Sequence, residues 1–166
     1  MKAYKNLLDA VNRGTLWIAI LAAAVMSVLV ILQVVFRYAI QSSLSFSEEL
    51  ARFLFVWTAF LGSAVALAKR AHVSIEIVVA HLPRKLKRGA ILVTNGLGAI
   101  FFLILIVYGI LMTIRTLDQT SAAMELSMGF VYVVVPLSGL IMLMNLVYNG
   151  YEEFMNPDII KSEGVE

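Results

Sequence analysis

The sequence predicts an all-α integral membrane protein with four transmembrane helices. Hydrophobic residues make up 61% of the 166 residues and charged residues only 14%, whereas soluble domains carry roughly 25% charged residues. The charges are also clustered, since none falls within 14–36, 89–114 or 126–151. Each of these runs is longer than the ~20 apolar residues that cross a bilayer. Only helices and closed barrels satisfy their backbone hydrogen bonds in lipid, and runs of this length predict helices.

The first two helices are expected at about 14–36 and 48–68. A secretory signal has an apolar region of about 7–15 residues followed by a small-residue cleavage site. The first run is longer and ends in VVFRY, so we expect it to remain as a membrane anchor. The second helix contains an uncharged stretch, 53–68, which reaches spanning length only if the helix begins near Glu48.

The third and fourth helices are expected at about 86–114 and 127–151. Pro83 suits the first turn of the third helix, which would then be about 48 Å long at 1.5 Å per residue. Such a helix must tilt or project beyond the hydrocarbon core. Pro136 should kink the fourth helix.

The chain is expected to form one membrane domain, 1–156, followed by a flexible acidic tail, 157–166. The polar residues within the spans are neutral and could hydrogen-bond between helices; packing is their favoured interpretation, and lining of a transport path is the alternative. They include Ser27, Gln33, Thr58, Ser63, Asn95, Ser138 and Asn145.

Basic residues concentrate in the segments expected on one side of the membrane. The segment before the first helix contains Lys2, Lys5 and Arg13, and the loop between helices two and three contains Lys69, Arg70, Arg84, Lys85, Lys87 and Arg88. The opposite side would hold Arg37, Arg52 and Arg115. The positive-inside rule therefore predicts that both termini and the basic loop are cytoplasmic. We expect this loop to determine topology and to contact phospholipids, and not to bind nucleic acid.

Several function classes do not fit this composition. A transporter or proton pump that works alone usually needs an ionisable residue within the membrane, and none lies near the middle of a predicted span. His72 and His81 lie in the basic loop, where they cannot ligate a haem inside a bundle, and the chain has no cysteine for thiol chemistry. We therefore expect no enzymatic activity and no cofactor, and interpret the chain as a subunit. A self-contained homo-oligomeric exporter stays open as the alternative.

The second helix has two different faces. At about 100° per residue, one line along the helix contains Glu48, Arg52, Phe55, Ala59, Gly62 and Ala66. We call Ala59, Gly62 and Ala66 the small-residue stripe, because residues of this kind let helix backbones approach closely. The opposite face is bulky and contains Leu50, Phe53, Trp57, Phe60 and Leu61. The pattern predicts tight helix packing on the first face, and lipid or a broad partner surface on the second.

The start of this helix is charged. Glu48 and Arg52 form an i,i+4 pair in the favourable order, acid before base, and Glu49 could pair with Arg52 instead. Ser45 and Glu48 fit a capping box, with Ser47 as a competing cap. Two interpretations stay open: these residues begin an amphipathic helix at the membrane interface, or they form an ion-paired contact with another subunit.

A combination of features across 45–88 is similar to a known family. Two acids and an arginine lead into an aromatic-rich helix, then a small-residue patch, a basic pair and a histidine. In this sequence these are Glu48, Glu49, Arg52, Phe55, Trp57, Phe60, Gly62, Ala66, Lys69, Arg70 and His72. The region resembles the small membrane subunit, DctQ-type, of the tripartite ATP-independent periplasmic (TRAP) transporters. The LPRKLKR stretch from Leu82 is similar to that family's approach to its third helix.

The resemblance implies a division of labour among three proteins. A soluble periplasmic protein captures an organic acid, often a sialic acid or a C4-dicarboxylate. A large membrane subunit carries the substrate and sodium sites and moves them by an elevator-like motion. This chain would be a non-catalytic scaffold in the bacterial inner membrane that anchors the large subunit, here expected to be a separate polypeptide, and helps to dock the binding protein transiently. The candidate interface residues are Glu48, Glu49, Arg52, Trp57, Phe60, Gly62 and Ala66.

Overall fold

The computed structural model describes residues 2–40, 45–69 and 84–155. The helices in these segments are α1 (Lys2–Val35), α2 (Ser45–Ala68), α3 (Arg84–Arg115), α4 (Met128–Tyr132) and α5 (Val134–Met155). A π-helical turn, Phe36–Ile40, continues α1. Arg70, His72, His81, Pro83 and the acidic tail lie outside the described residues.

Four stretches are long and apolar enough to cross a membrane, which confirms the predicted all-helical architecture. They are Tyr4–Ala39, Ser45–Ala68, Leu92–Arg115 and Met128–Glu152. The 32 residues of α3 match the length expected for the third helix. The orientation of the termini stays a prediction, as does the division into one domain and a tail.

The fourth span consists of two helices, α4 and α5, separated at Val133. Pro136 has no N–H to donate to a carbonyl one turn earlier, and its ring crowds that turn. The kink expected from Pro136 therefore appears as a break within the turn that precedes it. Helical hydrogen bonds continue around the break, since Val133 N–H donates to the Gly129 carbonyl at 3.0 Å and Leu137 N–H donates to the Val133 carbonyl at 3.2 Å.

The long helices pack in the order α1, α2, α5, α3. Close backbone contacts join α1 to α2, α2 to α5 and α5 to α3, with a smaller contact between α1 and α5. Two small clusters fill the contacts. One contains Ala64, Leu67, Phe102, Ile141 and Met142, and the other contains Ala19, Leu61 and Val134. Helices α2 and α5 thus lie in the middle, with α1 against both of them and α3 against α5.

Glycines allow α3 and α5 to approach closely. Those in contact with the opposite helix are Gly98, Gly109, Gly139 and Gly150. A Cβ added at Gly109 would lie 2.8 Å from Cδ of Pro136, and one at Gly150 would lie 2.7 Å from Nδ2 of Asn95. At Gly109 a side chain would need movement of the opposite helix, because the ring and backbone nitrogen of Pro136 are in the way, whereas at Gly150 the amide of Asn95 would have to move. A Cβ added at Gly98 would lie 3.4 Å from the side chain of Leu146.

A reciprocal amide pair joins α1 to α5. Nδ2 of Asn12 donates to Oδ1 of Asn145 at 2.8 Å, and Nδ2 of Asn145 donates back to Oδ1 of Asn12 at 2.9 Å. Asn145 is only 1% exposed and also donates to the Ile141 carbonyl. Buried amides need such partners, because an unpaired polar group in an apolar environment is costly. The hydrogen bond between helices expected of Asn145 is therefore confirmed.

Other polar residues of the spans behave differently from the prediction. The hydroxyls of Ser27, Ser63 and Ser138 donate to carbonyls of their own helices. A serine side chain is short enough to reach the carbonyl three or four residues earlier, so it needs no neighbouring helix. For these three residues the expectation of bonding between helices is wrong.

Candidate subunit interface

The bulky face of α2 packs inside the subunit. Trp57 and Phe60 are partly buried against the cluster of Ala19, Leu61 and Val134, and Leu61 is 2% exposed. This face was expected to meet lipid or a broad partner surface, and for these residues that expectation is wrong. The reason is that α1 and α5 lie on this side of α2, so its large side chains fill the space between the helices.

The small-residue stripe lies on the outward face of α2. Ala59 is exposed, while Gly62 and Ala66 are half-buried. A Cβ added at Gly62 would meet nothing within 4 Å, and Phe55 on the same line is 61% exposed. At Gly62, therefore, none of the described helices closes onto the stripe, and the tight packing that its composition predicts is not formed at this position within the described chain.

An ion pair stands at the head of this outward face. Nη2 of Arg52 lies 2.9 Å from Oε1 of Glu48, and the two side chains are 68% and 63% exposed. The predicted i,i+4 pairing is thus formed within the helix. An exposed pair of this kind contributes about 0.3–0.5 kcal/mol to stability, so the fold does not depend on it.

Glu49 turns inward and holds the connection between α3 and α4. Its Oε1 accepts a hydrogen bond from the backbone N–H of Ala122 at 3.1 Å. Its Oε2 accepts from the N–H groups of Ala123 and Met124, each at 2.9 Å. Successive backbone N–H groups that converge on one anion form a nest. The alternative pairing of Glu49 with Arg52 is therefore absent, because the carboxylate is engaged by this loop.

The loop that binds Glu49 is closed by its own hydrogen bonds. Ser121 N–H donates to the Leu126 carbonyl at 2.9 Å, and Met128 N–H donates to the Gln119 carbonyl at 2.8 Å. Glu125 has a φ of 52°, a left-handed conformation that is uncommon outside glycine and that reverses the chain after the nest. The carboxylate of Glu49 gives the three preceding N–H groups a partner and fixes the start of α2 to this loop.

The sequence contains little that could reveal this contact. The bonded residues are 73 to 75 positions apart, and the loop has neither the glycines nor the basic residues that usually mark an anion site. Asn12, the partner of Asn145, was missed for a similar reason, since it precedes the uncharged run and was not assigned to a helix.

The predicted basic residues are only partly described. Lys69 is exposed directly after α2, and its N–H donates to the Val65 carbonyl at 3.1 Å. The backbone of Arg84, Lys85, Lys87 and Arg88 begins α3, but their side chains lie outside the described part of the chain. The prediction that these residues determine topology and contact lipid therefore stays a prediction.

A match to a protein-family model assigns this chain to a family. The model for the DctQ component of tripartite ATP-independent periplasmic transporters matches residues 26–155, which include most of α1 and all of α2 to α5. The chain belongs to the DctQ family. The resemblance seen in the sequence is thus confirmed.

Individual relatives agree with this assignment. A putative TRAP transporter small permease protein of Haemophilus influenzae is 40% identical over 79 residues, which cover 48% of this chain and 49% of that protein. A second protein of the same description and organism is 30% identical over 123 residues, 74% of each chain. The sialic acid TRAP transporter permease protein SiaT of Haemophilus influenzae is 29% identical over 148 residues. These are 87% of this chain but 22% of SiaT.

The DctQ chain thus spans about half of the first of these relatives and less than a quarter of SiaT. Family membership makes it a transporter component of the DctQ type. Together with the four spanning helices, it indicates a multi-pass inner-membrane protein.

Proposed function

We propose that this DctQ chain is the scaffold subunit of a sodium-coupled TRAP transporter. The transporter would import an organic acid, of the sialic acid or C4-dicarboxylate type, that a periplasmic protein has captured. The chain would anchor and stabilise a large elevator-type membrane subunit, and would help to dock the binding protein. Family membership and the similarity to a permease named for sialic acid support this proposal.

The outward face of α2 is the observation that carries the proposal. At Gly62, in the middle of the small-residue stripe, an added Cβ would contact none of the described helices. Small residues nevertheless favour contact between helix backbones in lipid. Lipid chains gain no particular advantage from a narrow, small-residue face, whereas a helix of another subunit can approach it closely. A large membrane subunit therefore fits this face better than lipid does.

The charged start of α2 supplies the second part of the surface. Glu48 and Arg52 are mostly exposed, and they continue the line of the stripe toward the membrane boundary. Glu49 holds this turn against the loop at Ala122 to Met124, which fixes the direction in which the pair projects. On this proposal the pair contributes polar contacts at the edge of an otherwise apolar interface.

Site-directed photocrosslinking tests the position of the interface, because the chain has no cysteine. Ala59→Cys and Ala24→Cys replace exposed alanines in the middle of α2 and α1, and each can carry a thiol-reactive benzophenone. In membranes that also contain the large subunit, we expect Ala59→Cys to give an adduct with it and Ala24→Cys to give far less.

The same experiment distinguishes the alternative of a self-contained exporter. Adducts at Ala59→Cys that contain only copies of this chain, in the presence of the large subunit, would contradict the scaffold proposal. Transport of a solute by liposomes that contain this chain alone would contradict it independently. Sodium-driven uptake that needs the chain, the large subunit and the binding protein together is the expected result.

A further inference from the structure

A shallow, open depression, which we call the α1 pocket, lies on the outward face of α1, near the N-terminal end of the first span. Its lining consists of Asn6, Asp9, Ala10, Arg13, Gly14 and Trp17. All six are exposed, whereas Leu8 and Thr15 on the opposite side of the helix are buried against the rest of the protein. The pocket therefore faces away from α2 and α5, on a side of α1 that none of the described helices covers.

The shape of this pocket comes from small residues between larger ones. Gly14 has open space where a Cβ would lie, and Ala10 is one turn earlier on the same face. Trp17 stands at one end, 66% exposed, with its indole available for contact. The result is a depression between the charged side chains on one side and an aromatic wall on the other.

Two opposite charges line the pocket without forming an ion pair with each other. Asp9 and Arg13 are spaced i,i+4 with the acid first, an arrangement that favours an ion pair. In the described part of the chain, however, the ion pair that forms is between Glu48 and Arg52, and neither Asp9 nor Arg13 has a hydrogen-bonded side-chain partner there. Both charges thus remain open to an occupant that carries an anion and a cation.

The depth of each group in the membrane selects that occupant. Residues 14–36 carry no charge, so Arg13 is the last charged group before the hydrocarbon. Asp9 lies about 6 Å further toward water and Trp17 about 6 Å deeper, at 1.5 Å per residue. From water inward, the order is carboxylate, guanidinium, small-residue floor and indole.

An aminophospholipid presents the matching groups in the same order: ammonium, phosphate, glycerol and acyl chain. We propose that the α1 pocket binds an aminophospholipid headgroup, with its ammonium at Asp9, its phosphate at Arg13 and its glycerol region over Gly14 against Trp17. Guanidinium groups bind phosphate through paired, charge-assisted hydrogen bonds. Tryptophan is favoured at this depth because its ring is apolar and its N–H is polar.

The carboxylate gives this site its selectivity among lipids. A primary ammonium donates hydrogen bonds to Asp9, but the quaternary ammonium of phosphatidylcholine has no N–H to donate. Phosphatidylglycerol has no cation, so its phosphate would be attracted by Arg13 and repelled by Asp9. The site therefore favours phosphatidylethanolamine over both, and this inference does not depend on the proposed role in transport.

Native mass spectrometry of the full chain can test the selectivity. The protein is delipidated in detergent and offered equal amounts of 1-palmitoyl-2-oleoyl phosphatidylethanolamine, phosphatidylglycerol and phosphatidylcholine. We expect the first bound lipid to be phosphatidylethanolamine, with a preference of about tenfold, the change associated with one charge-assisted hydrogen bond. A chain that binds the three lipids equally would overturn the proposal.

A charge-exchange variant tests the order of the groups. Asp9→Arg combined with Arg13→Asp keeps the net charge and composition but places the carboxylate at the depth of the phosphate. We expect this double variant to lose the preference for phosphatidylethanolamine, and Lys5→Gln, at an exposed cation outside the pocket, to retain it. Retention of the preference by the double variant would overturn the proposal.

Two further measurements keep the outcome interpretable. If the double variant does not fold, Asp9→Asn alone is expected to raise phosphatidylglycerol to the level of phosphatidylethanolamine, and an unchanged ratio would contradict the site. Glycerophosphoethanolamine, which has the headgroup without acyl chains, should compete at least about tenfold less well, because it lacks the contact with Trp17. Equal competition would mean that the pocket binds a soluble phosphate compound instead of a membrane lipid.

Discussion

The α3–α5 interface and the outward face of α2 both contain small residues at helical spacing, yet only the former is closed. At Gly109 and Gly150 an added Cβ would lie 2.8 and 2.7 Å from atoms of the opposite helix, whereas at Gly62 it would meet nothing within 4 Å. Small residues therefore predict that a backbone can come close, but they do not say which backbone. A small-residue face that its own chain leaves uncovered is therefore a candidate binding surface for another protein chain.

The largest effect that would sharpen this comparison is expected from Gly109→Leu. The new side chain would collide with backbone and ring atoms of Pro136. Overpacking of this kind typically lowers the stability of a protein by about 1–3 kcal/mol, and occasionally by more. Gly62→Leu is the matched control, for which we expect a change below about 1 kcal/mol, in the stabilising direction because leucine is the better helix former. Thermal unfolding of the purified chain, followed through the fluorescence of its two tryptophans, measures both. Equal destabilisation by the two variants would show that Gly62 is packed within the chain.

The same Gly62→Leu variant should have the opposite consequence for assembly. A leucine on the stripe prevents close approach of a partner helix, so we expect recovery of the large subunit to fall about tenfold or more, equivalent to ~1.4 kcal/mol of binding free energy. Affinity purification of the tagged chain from membranes gives this ratio, and Gly96→Leu, at an open glycine of α3, is the control. Undiminished recovery would place the partner elsewhere.

A third, intermediate effect is expected from Glu49→Ala, which releases the loop that the first turn of α2 holds. The N–H groups of Ala122, Ala123 and Met124 would lose their carboxylate partner and exchange faster with deuterium. Glu48→Ala removes a carboxylate whose partner among the described residues is Arg52, and it should leave the exchange of these amides unchanged. Hydrogen–deuterium exchange of the peptide that contains 119–128 decides between the two, and the comparison fails if both variants accelerate it equally.

The smallest effect is expected from Arg52→Ala. Loss of an exposed ion pair should lower the stability of the isolated chain by no more than about 0.5 kcal/mol. Assembly or transport should nevertheless weaken more than in Arg115→Ala, which removes an exposed arginine at the end of α3. Indistinguishable results for the two arginines would leave Arg52 with a role only at the start of the helix.

Much of the helical architecture follows from the sequence because uncharged length is a direct requirement of the bilayer. The four spans, the length of α3 and the disturbance near Pro136 all depend on local properties of the chain. The direction in which each face of α2 points depends on where α1 and α5 lie, which is a non-local property. Composition alone therefore assigned Trp57 and Phe60 to the outside, although they pack inside.

The contacts of the candidate site also divide into a local one, which the sequence predicts, and a non-local one, which it does not. The pair of Glu48 and Arg52 is one helical turn apart, so spacing was sufficient to predict it. The attachment of Glu49 to the loop at Ala122 needs a turn whose N–H groups converge, and this loop then reverses through the left-handed conformation of Glu125. Nothing about a glutamate residue in the sequence marks it as adopting that conformation.

The position of α1 and α3 at the edges of the helix arrangement has a consequence for how this sequence can change over time. Both helices leave many large hydrophobic side chains exposed, and lipid imposes hydrophobicity but no particular shape on such positions. Exchanges among leucine, isoleucine, valine and phenylalanine at those positions should change the stability of the fold very little. Substitutions at the α3–α5 glycines, the pair of Asn12 and Asn145, and Glu49 should be tolerated far less. Divergence that looks extensive by residue count can therefore leave the form of the protein intact.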